Sequence, residues 1–72
     1  MPNVHVVPSG DQWKVEVEGG AQAPSTFDNQ GAAITSGKTL AKRLQVELIV
    51  HGKDGAIRMR NSYGNDPRDV KG

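Results

Sequence analysis

The sequence predicts an α+β fold in which one helix covers one face of a four-stranded antiparallel sheet. Two pairs of segments alternate between apolar and polar residues, which is typical of strands with one buried face. Between these pairs, apolar residues recur at spacings of three and four, which is typical of a helix with one buried side. The predicted element order is therefore β-β-α-β-β, within a single domain over residues 1–67.

The first two strands are predicted to form a hairpin over residues 3–7 and 12–18. A turn-forming Pro-Ser-Gly sequence separates them, and the second strand alternates apolar with charged residues in the order Trp-Lys-Val-Glu-Val-Glu. A flexible connection is expected next, because Gly19, Gly20 and Pro24 follow.

The helix is predicted to begin at Gln30, with Asn29 or Asp28 capping its first turn through a side-chain oxygen. Gly37 falls on the apolar side of this helix, where the missing side chain would permit a close approach to the sheet. The residues of the apolar side are Ala33, Ile34, Gly37, Leu40, Ala41 and Leu44.

The last two strands are predicted to flank an Asp54-Gly55 turn, which is a strong hairpin signal. A right-handed crossover that leaves the first strand between the second and third gives the order 2-1-3-4, with all neighbours antiparallel. Residues 68–72 are expected to form a frayed tail. The face toward the helix is expected to contain Val4, Val6, Trp13, Val15, Val17, Val46, Leu48, Val50, Ile57 and Met59.

Composition narrows the class of protein. The chain has no cysteine, so disulfides and thiolate metal sites are excluded. Its first residues lack the basic and apolar regions of a signal peptide, and no apolar run approaches the ~20 residues that a transmembrane helix requires. We therefore expect a soluble domain of the cytoplasm.

Charge is distributed unevenly, although the formal net charge is only +1. Residues 1–31 have one basic and four acidic residues, and residues 32–72 have eight basic and four acidic residues, which gives −3 and +4. A basic half can indicate a polyanionic partner. The favoured alternative is that the two halves fold against each other and their charges pair.

Family motifs extend over nearly the whole chain: HVVP at 5–8, WKV at 13–15, FD at 27–28, AI at 33–34, LA at 40–41, HGKDGAI at 51–57 and SYGNDP at 62–67. With these motifs the chain resembles a small bacterial family of uncharacterised proteins, a domain of unknown function, and SYGNDP is the most specific element. Members usually have a Thr cap and a Glu three residues later at the helix start. Asn29 and Ala32 stand there in this chain, so the resemblance implies a looser helix entry. It implies no activity, substrate or cofactor.

Catalytic chemistry is not expected. The serines fall in turn, cap or helix contexts, and none has a recognisable base arranged beside it. The segment Gly31–Thr39 resembles a phosphate-binding P-loop, but it has five residues between its glycines where that motif has four, and its pattern is helical. We therefore expect neither an enzyme nor a cofactor.

Two histidines are the candidate metal ligands. If the first and third strands pair, His5 and His51 both lie on the open face of the sheet, and their separation depends on the register. Two imidazoles without a committed third ligand make a weak metal site. The favoured interpretation is two ordinary surface residues and no metal.

Nucleic-acid binding is the alternative function. No stacking platform is expected, because Trp13 and Phe27 fit the core. The outer helix surface has three cations that would contact phosphates in a salt-dependent manner, namely Lys38, Lys42 and Arg43. The open sheet face is expected to be neutral through cross-strand pairs that set Lys14, Arg58 and Arg60 against Glu16, Glu18 and Glu47.

Protein contact, including self-association, is the favoured function. The candidate contact residues are His5, Val7 and Ile49 on the open face, where an uncovered sheet and free edge strands offer pairing surfaces. Tyr63 has two interpretations. It is either a structural plug folded over the sheet end or a recognition residue, and the plug is favoured. The expected partner is a second copy or an unknown protein, and a membrane is not expected.

Overall fold

The computed structural model describes residues 2–20 and 22–64. It confirms an α+β architecture in which a single α-helix packs on one face of one sheet. A short 3-10 helix, Glu18–Gly20, follows the second strand. The main elements are β1 (Val4–Ser9), β2 (Gln12–Val17), β3 (Ser25–Phe27), α1 (Gln30–Leu44), β4 (Glu47–His51) and β5 (Ile57–Ser62).

The sheet has five strands in the order β3-β2-β1-β4-β5 and is mixed, so the prediction of a four-stranded antiparallel sheet is wrong. The relative order of the four predicted strands is the one observed. The difference comes from β3, which pairs with β2 and places Phe27 opposite Trp13. This extra strand reverses the chain once more before the helix. As a result, β4 enters the sheet parallel to β1.

Helix α1 begins directly after Asn29, one of the two residues predicted to cap it. The side-chain oxygen of Asn29 accepts a hydrogen bond from the backbone N–H of Ala32 at 2.8 Å. At the other end Gln45 has a left-handed backbone conformation, and the N–H of Val46 donates to the carbonyl of Ala41 at 3.0 Å. Within the described residues, no helix combines the length and apolar character needed to cross a membrane.

Helix α1 packs closely on the central strand β1 and its neighbour β4 because the buried residues of the helix are small. Ala33, Gly37 and Ala41 are all buried. A Cβ added to Gly37 would lie 3.0 Å from Leu48 Cδ1 and 3.1 Å from Val6 Cγ2. The close approach predicted for this glycine is therefore present.

The core contains most of the predicted face, but β5 departs from the prediction. Ile57 is 53% exposed and Met59 is only half-buried. The register shifts between Val50 and His51, so the strict alternation assumed for β5 fails at its start. The buried hydrophobic residues are Val4, Val6, Trp13, Val15, Val17, Ala33, Ala41, Val46, Leu48, Ile49 and Val50.

Arg58 was expected to pair with an acid across the open face, and it does not. Its guanidinium lies 2.9 Å from the carboxylate of Asp54 in the preceding turn. It also lines a cleft with Ile34 of the helix. Residues 65–67, which end the SYGNDP motif, and the predicted tail 68–72 lie outside the described residues.

Candidate functional site

Two imidazoles meet on the open face of the sheet. Parallel pairing sets His5 of β1 opposite Ile49 of β4, and His51 is two residues further on the same face. His5 Nδ1 and His51 Nε2 are 3.0 Å apart, and the ring centroids are 5.2 Å apart with planes 26° from parallel. The register that the sequence left open is therefore the one that brings the two rings into contact.

Glu18 extends this contact into a chain of three side chains. It directly follows β2, and its Oε2 lies 2.6 Å from His5 Nε2. Its Oε1 accepts from the backbone N–H of Asn3 at 3.2 Å. The pKa of Glu18 lies below its ordinary value. The hydrogen bond from His5 is the largest cause, and the hydrogen bond from the backbone of Asn3 is the next largest. We name this chain the Glu18–His5–His51 relay.

When both imidazoles are neutral, the hydrogen bonds of the relay fix their tautomers. An ionised carboxylate only accepts hydrogen bonds, so the proton of His5 is on Nε2 and points at Glu18. The Nδ1 of His5 then accepts, and His51 donates its Nε2–H. In this arrangement His51 Nδ1 is the one ring nitrogen of the relay that takes no part in its hydrogen bonds, and its lone pair is free.

The relay forms one wall of an open cleft of about 450 Å³. Val7 and Pro24 contribute apolar surface to this cleft, and Glu16 contributes a carboxylate. Ile49 was predicted as a contact residue here, but it is only 4% exposed because its neighbours cover it. The surface offered to a partner is therefore mainly polar, with Val7 as its apolar part.

A family model described as "Uncharacterized protein conserved in bacteria (DUF2188)" matches residues 4–63. The chain belongs to the DUF2188 family. The match includes every strand, the helix and the three relay residues. It confirms the resemblance to an uncharacterised bacterial family. No curated protein and no solved structure matches the chain.

The remaining charges of the open face form pairs in the DUF2188 protein. Lys14 Nζ lies 3.5 Å from a carboxylate oxygen of Glu16, and Arg60 Nε lies 3.6 Å from one of Glu47. Arg60 and Glu47 form a cross-strand pair of the predicted kind, whereas Lys14 and Glu16 lie on the same strand, β2. Both pairs leave the face close to neutral.

Metal binding has little geometric basis at the relay. Within residues 2–20 and 22–64, no three His, Cys, Asp or Glu side chains are arranged to hold an ion. The nitrogen atoms of His5 are both engaged, one by Glu18 and one by His51.

Tyr63 lies away from the relay, at the end of the sheet near the last turn of α1. Its ring packs against the core, and Lys42 Nζ lies 5.7 Å from the ring centroid. Its backbone N–H donates to the carbonyl of Val46 at 3.2 Å, and Gly64 lies against the carbonyl of Gln45. The structure therefore does not bring Tyr63 together with the other predicted contact residues.

The predicted basic patch lies on α1, and all three of its side chains are exposed. At about 100° per residue, Lys38 and Lys42 lie within ~40° of each other, and Arg43 lies ~100° beyond Lys42. Lys42 sits over Tyr63, whereas Arg43 lines a groove beside β3. The helix contains no acidic residue.

Proposed function

We propose that this DUF2188 protein is a non-enzymatic cytoplasmic module that self-associates through the open face of its sheet. The observation that supports this most directly is the Glu18–His5–His51 relay, an ordered hydrogen-bonded chain on a face that the helix does not cover. The partner is a second copy of the chain, which would place the same face opposite itself across a two-fold axis.

An ordered relay on a surface has an energetic cost. Fixing a flexible side chain costs up to ~2 kcal/mol of conformational free energy. A hydrogen bond that stays in contact with water returns little net free energy, because water competes for the same donors and acceptors. The side chains of His5 and Glu18 remain 23% and 43% exposed, so the isolated chain recovers little of this cost. A partner that covered the face would strengthen these bonds by excluding water, and the ordered side chains would already be in place for it.

The charge of the open face is compatible with self-association. Two ion pairs, Lys14–Glu16 and Glu47–Arg60, put both signs on the same surface. When two copies meet across a two-fold axis, a basic side chain of one copy can pair with a glutamate of the other. A face that is close to neutral also does not repel its own copy.

The size of the face indicates weak association. Five strands at ~4.8 Å spacing and about six residues of ~3.3 Å each give a surface of roughly 20 by 20 Å. That is about 400 Å² per copy, half of the ~800 Å² per partner in a standard stable interface. The proposed dimer therefore forms at high concentration and dissociates on dilution.

The proposal of a non-enzymatic role rests on the residues around the relay. A carboxylate–imidazole chain resembles the acid–base part of a hydrolytic site, which also requires a nucleophile. Within residues 2–20 and 22–64, the side chains that line the relay cleft include no hydroxyl and no thiol. We therefore assign the relay a role in orienting side chains for contact with a partner and no role in catalysis.

Sedimentation velocity over about 10 μM to 1 mM tests the proposal, since a weak dimer shifts its average mass in that range. Val7→Glu places an uncompensated charge on the open face and should leave a monomer. Lys38→Glu, on the helix, is the matched control and should retain the dimer. Circular dichroism verifies that both variants fold. A wild-type monomer throughout, or equal loss in both variants, would contradict self-association through this face.

Nucleic-acid binding through the helix is the second candidate. The observation that favours it is that α1 has three exposed cations and no acidic residue. Duplex DNA binding at low salt should weaken steeply as salt rises, because each phosphate contact releases a counterion. Lys38→Gln combined with Lys42→Gln should abolish a gel shift that Lys14→Gln leaves intact. Binding that depends equally on Lys14 would count against the helix.

A further inference from the structure

A second groove lies on the helix side of the molecule, between the edge strand β3 and one flank of α1. Its volume is about 670 Å³. The helical wall uses positions 32, 35, 36, 39, 40 and 43, whose spacings of three and four form one stripe along the helix. This stripe was not recognised in the sequence because hydroxyl residues occupy it where an apolar pattern would be expected.

The lining of this groove has the chemistry of an anion site. Among the residues that the structure describes, four hydroxyl side chains contribute to it and no carboxylate does. Arg43 closes the groove at the last turn of α1 and takes part in no ion pair among the described residues. An arginine fork supplies several donors in a geometry that suits phosphate. The hydroxyl residues are Ser25, Thr35, Ser36 and Thr39.

One of these hydroxyl groups is already committed as a donor. Thr39 Oγ1 donates to the backbone carbonyl of Thr35 at 3.2 Å, so its oxygen remains only as an acceptor. Ser25, Thr35 and Ser36 are left as hydroxyl donors toward a ligand. These hydroxyl groups and the guanidinium of Arg43 line the same groove, along which an anionic ligand can accept hydrogen bonds from them.

The floor of the groove is apolar. Phe27 and Leu40 pack partly against the core, and each is only half-buried. A half-buried aromatic ring beside hydrogen-bond donors offers a flat surface on which a planar base can stack. The groove therefore combines a place for a phosphate with a place for a ring.

We propose that the β3–α1 groove binds a nucleotide, either free or within a single strand, with the phosphate on Arg43 and the base against Phe27. This site differs from the open face proposed for self-association. It also differs from the duplex-binding surface, which depends on Lys38 and Lys42. Arg43 is the residue that the duplex surface and the groove share.

NMR titration of ¹⁵N-labelled protein tests the groove with four probes: AMP, adenosine, inorganic phosphate and a short oligo(dT) strand. AMP or the oligonucleotide should shift the amide signals of β3 and of the helical stripe. Adenosine or phosphate alone should bind more weakly, because each satisfies only one half of the groove. Shifts with AMP assign the site to a free nucleotide, and shifts with the strand alone assign it to single-stranded nucleic acid.

The variants separate the two halves of the site. Arg43→Gln should weaken binding about tenfold or more, since a charged hydrogen bond is lost. Phe27→Leu should reduce the affinity for AMP toward that for phosphate, and Lys38→Gln should leave both unchanged. Ser36→Ala is a second test in case Phe27→Leu disturbs the fold. Absence of shifts with every probe overturns the proposal. Phosphate binding as tight as AMP binding, or equal losses in Lys38→Gln and Arg43→Gln, would also overturn it.

Discussion

The imidazoles of His5 and His51 are in hydrogen-bond contact, with Nδ1 and Nε2 3.0 Å apart, across the parallel strand pair β1–β4. The pairing of strands 1 and 4 sets this distance, and a sheet shifted by one residue would turn one ring to the opposite face. The carboxylate of Glu18 orients the pair, and this has consequences for pH dependence and for proton position.

Stability should depend on the ionisation of Glu18. Its hydrogen bonds lower its pKa in the folded state, so ionisation stabilises the fold above the unfolded pKa. This contribution is lost as pH falls through the folded pKa. The difference in melting temperature between wild type and Glu18→Gln should therefore be largest near neutral pH and shrink below about pH 4. Glu16→Gln, outside the relay, is the control. A difference that does not change with pH would contradict the assignment.

The proton positions in the relay are directly measurable. In the uncharged form of His5, long-range ¹H–¹⁵N correlation spectra should show the proton on Nε2 and none on Nδ1, because Glu18 accepts at Nε2. Glu18→Gln offers an amide that can also donate, so the preference for this tautomer should weaken. Finding the His5 proton on Nδ1 in the wild type would exclude the proposed order of donors.

The helix–sheet contact at Gly37 should not tolerate a methyl group. Alanine favours a helix over glycine by ~1 kcal/mol, but overpacking a core costs about 1–3 kcal/mol. Since the new Cβ would lie 3.0 Å from Leu48 and 3.1 Å from Val6, Gly37→Ala should lower the free energy of unfolding by about 1 kcal/mol. Gly31→Ala is the matched control, because its Cβ would meet only Asn29 Oδ1, at 3.4 Å. Urea denaturation should show Gly31→Ala as neutral or stabilising, and equal effects at both sites would refute the contact.

Truncations in the last two strands, β4 and β5, should distinguish the core residues of the structure from those that the sequence predicted. Leu48 is fully buried, so Leu48→Ala should cost about 2–5 kcal/mol. Ile57 is 53% exposed, so Ile57→Ala should cost less than ~1 kcal/mol. Urea denaturation of both variants measures the contrast. A large loss at Ile57 would show that this side chain is covered in solution, for example by a second copy.

The parts of the fold that local patterns specify could be predicted from the sequence. The Trp13 strand, the Asp54-Gly55 turn and the Asn29 cap each follow from a few adjacent residues. The short strand at Ser25–Phe27 could not be predicted, because three residues are too few to show alternation and Pro24 suggested a connection. That omission also changed the predicted direction of β4 relative to β1.

The candidate sites show the same division between local and long-range information. His5 and His51 could be assigned to the same face from alternation alone, but their contact needed the register of strands 44 residues apart in the chain, as in the pairing of Val4 with Leu48. Glu18 was read as one of several surface acids, because its reach toward His5 depends on the chain path just beyond β2. The groove lined by Arg43 needed β3 as its second wall.

The central position of β1 has a consequence for how the chain is made. Its neighbour β4 ends at His51, so a growing chain exposes the unpaired edge of β1 until β4 has been made. An isolated N-terminal hairpin is at best marginally stable in water. Completion of the sheet therefore waits for β4 and β5, which pair only after the helix that precedes them has been made.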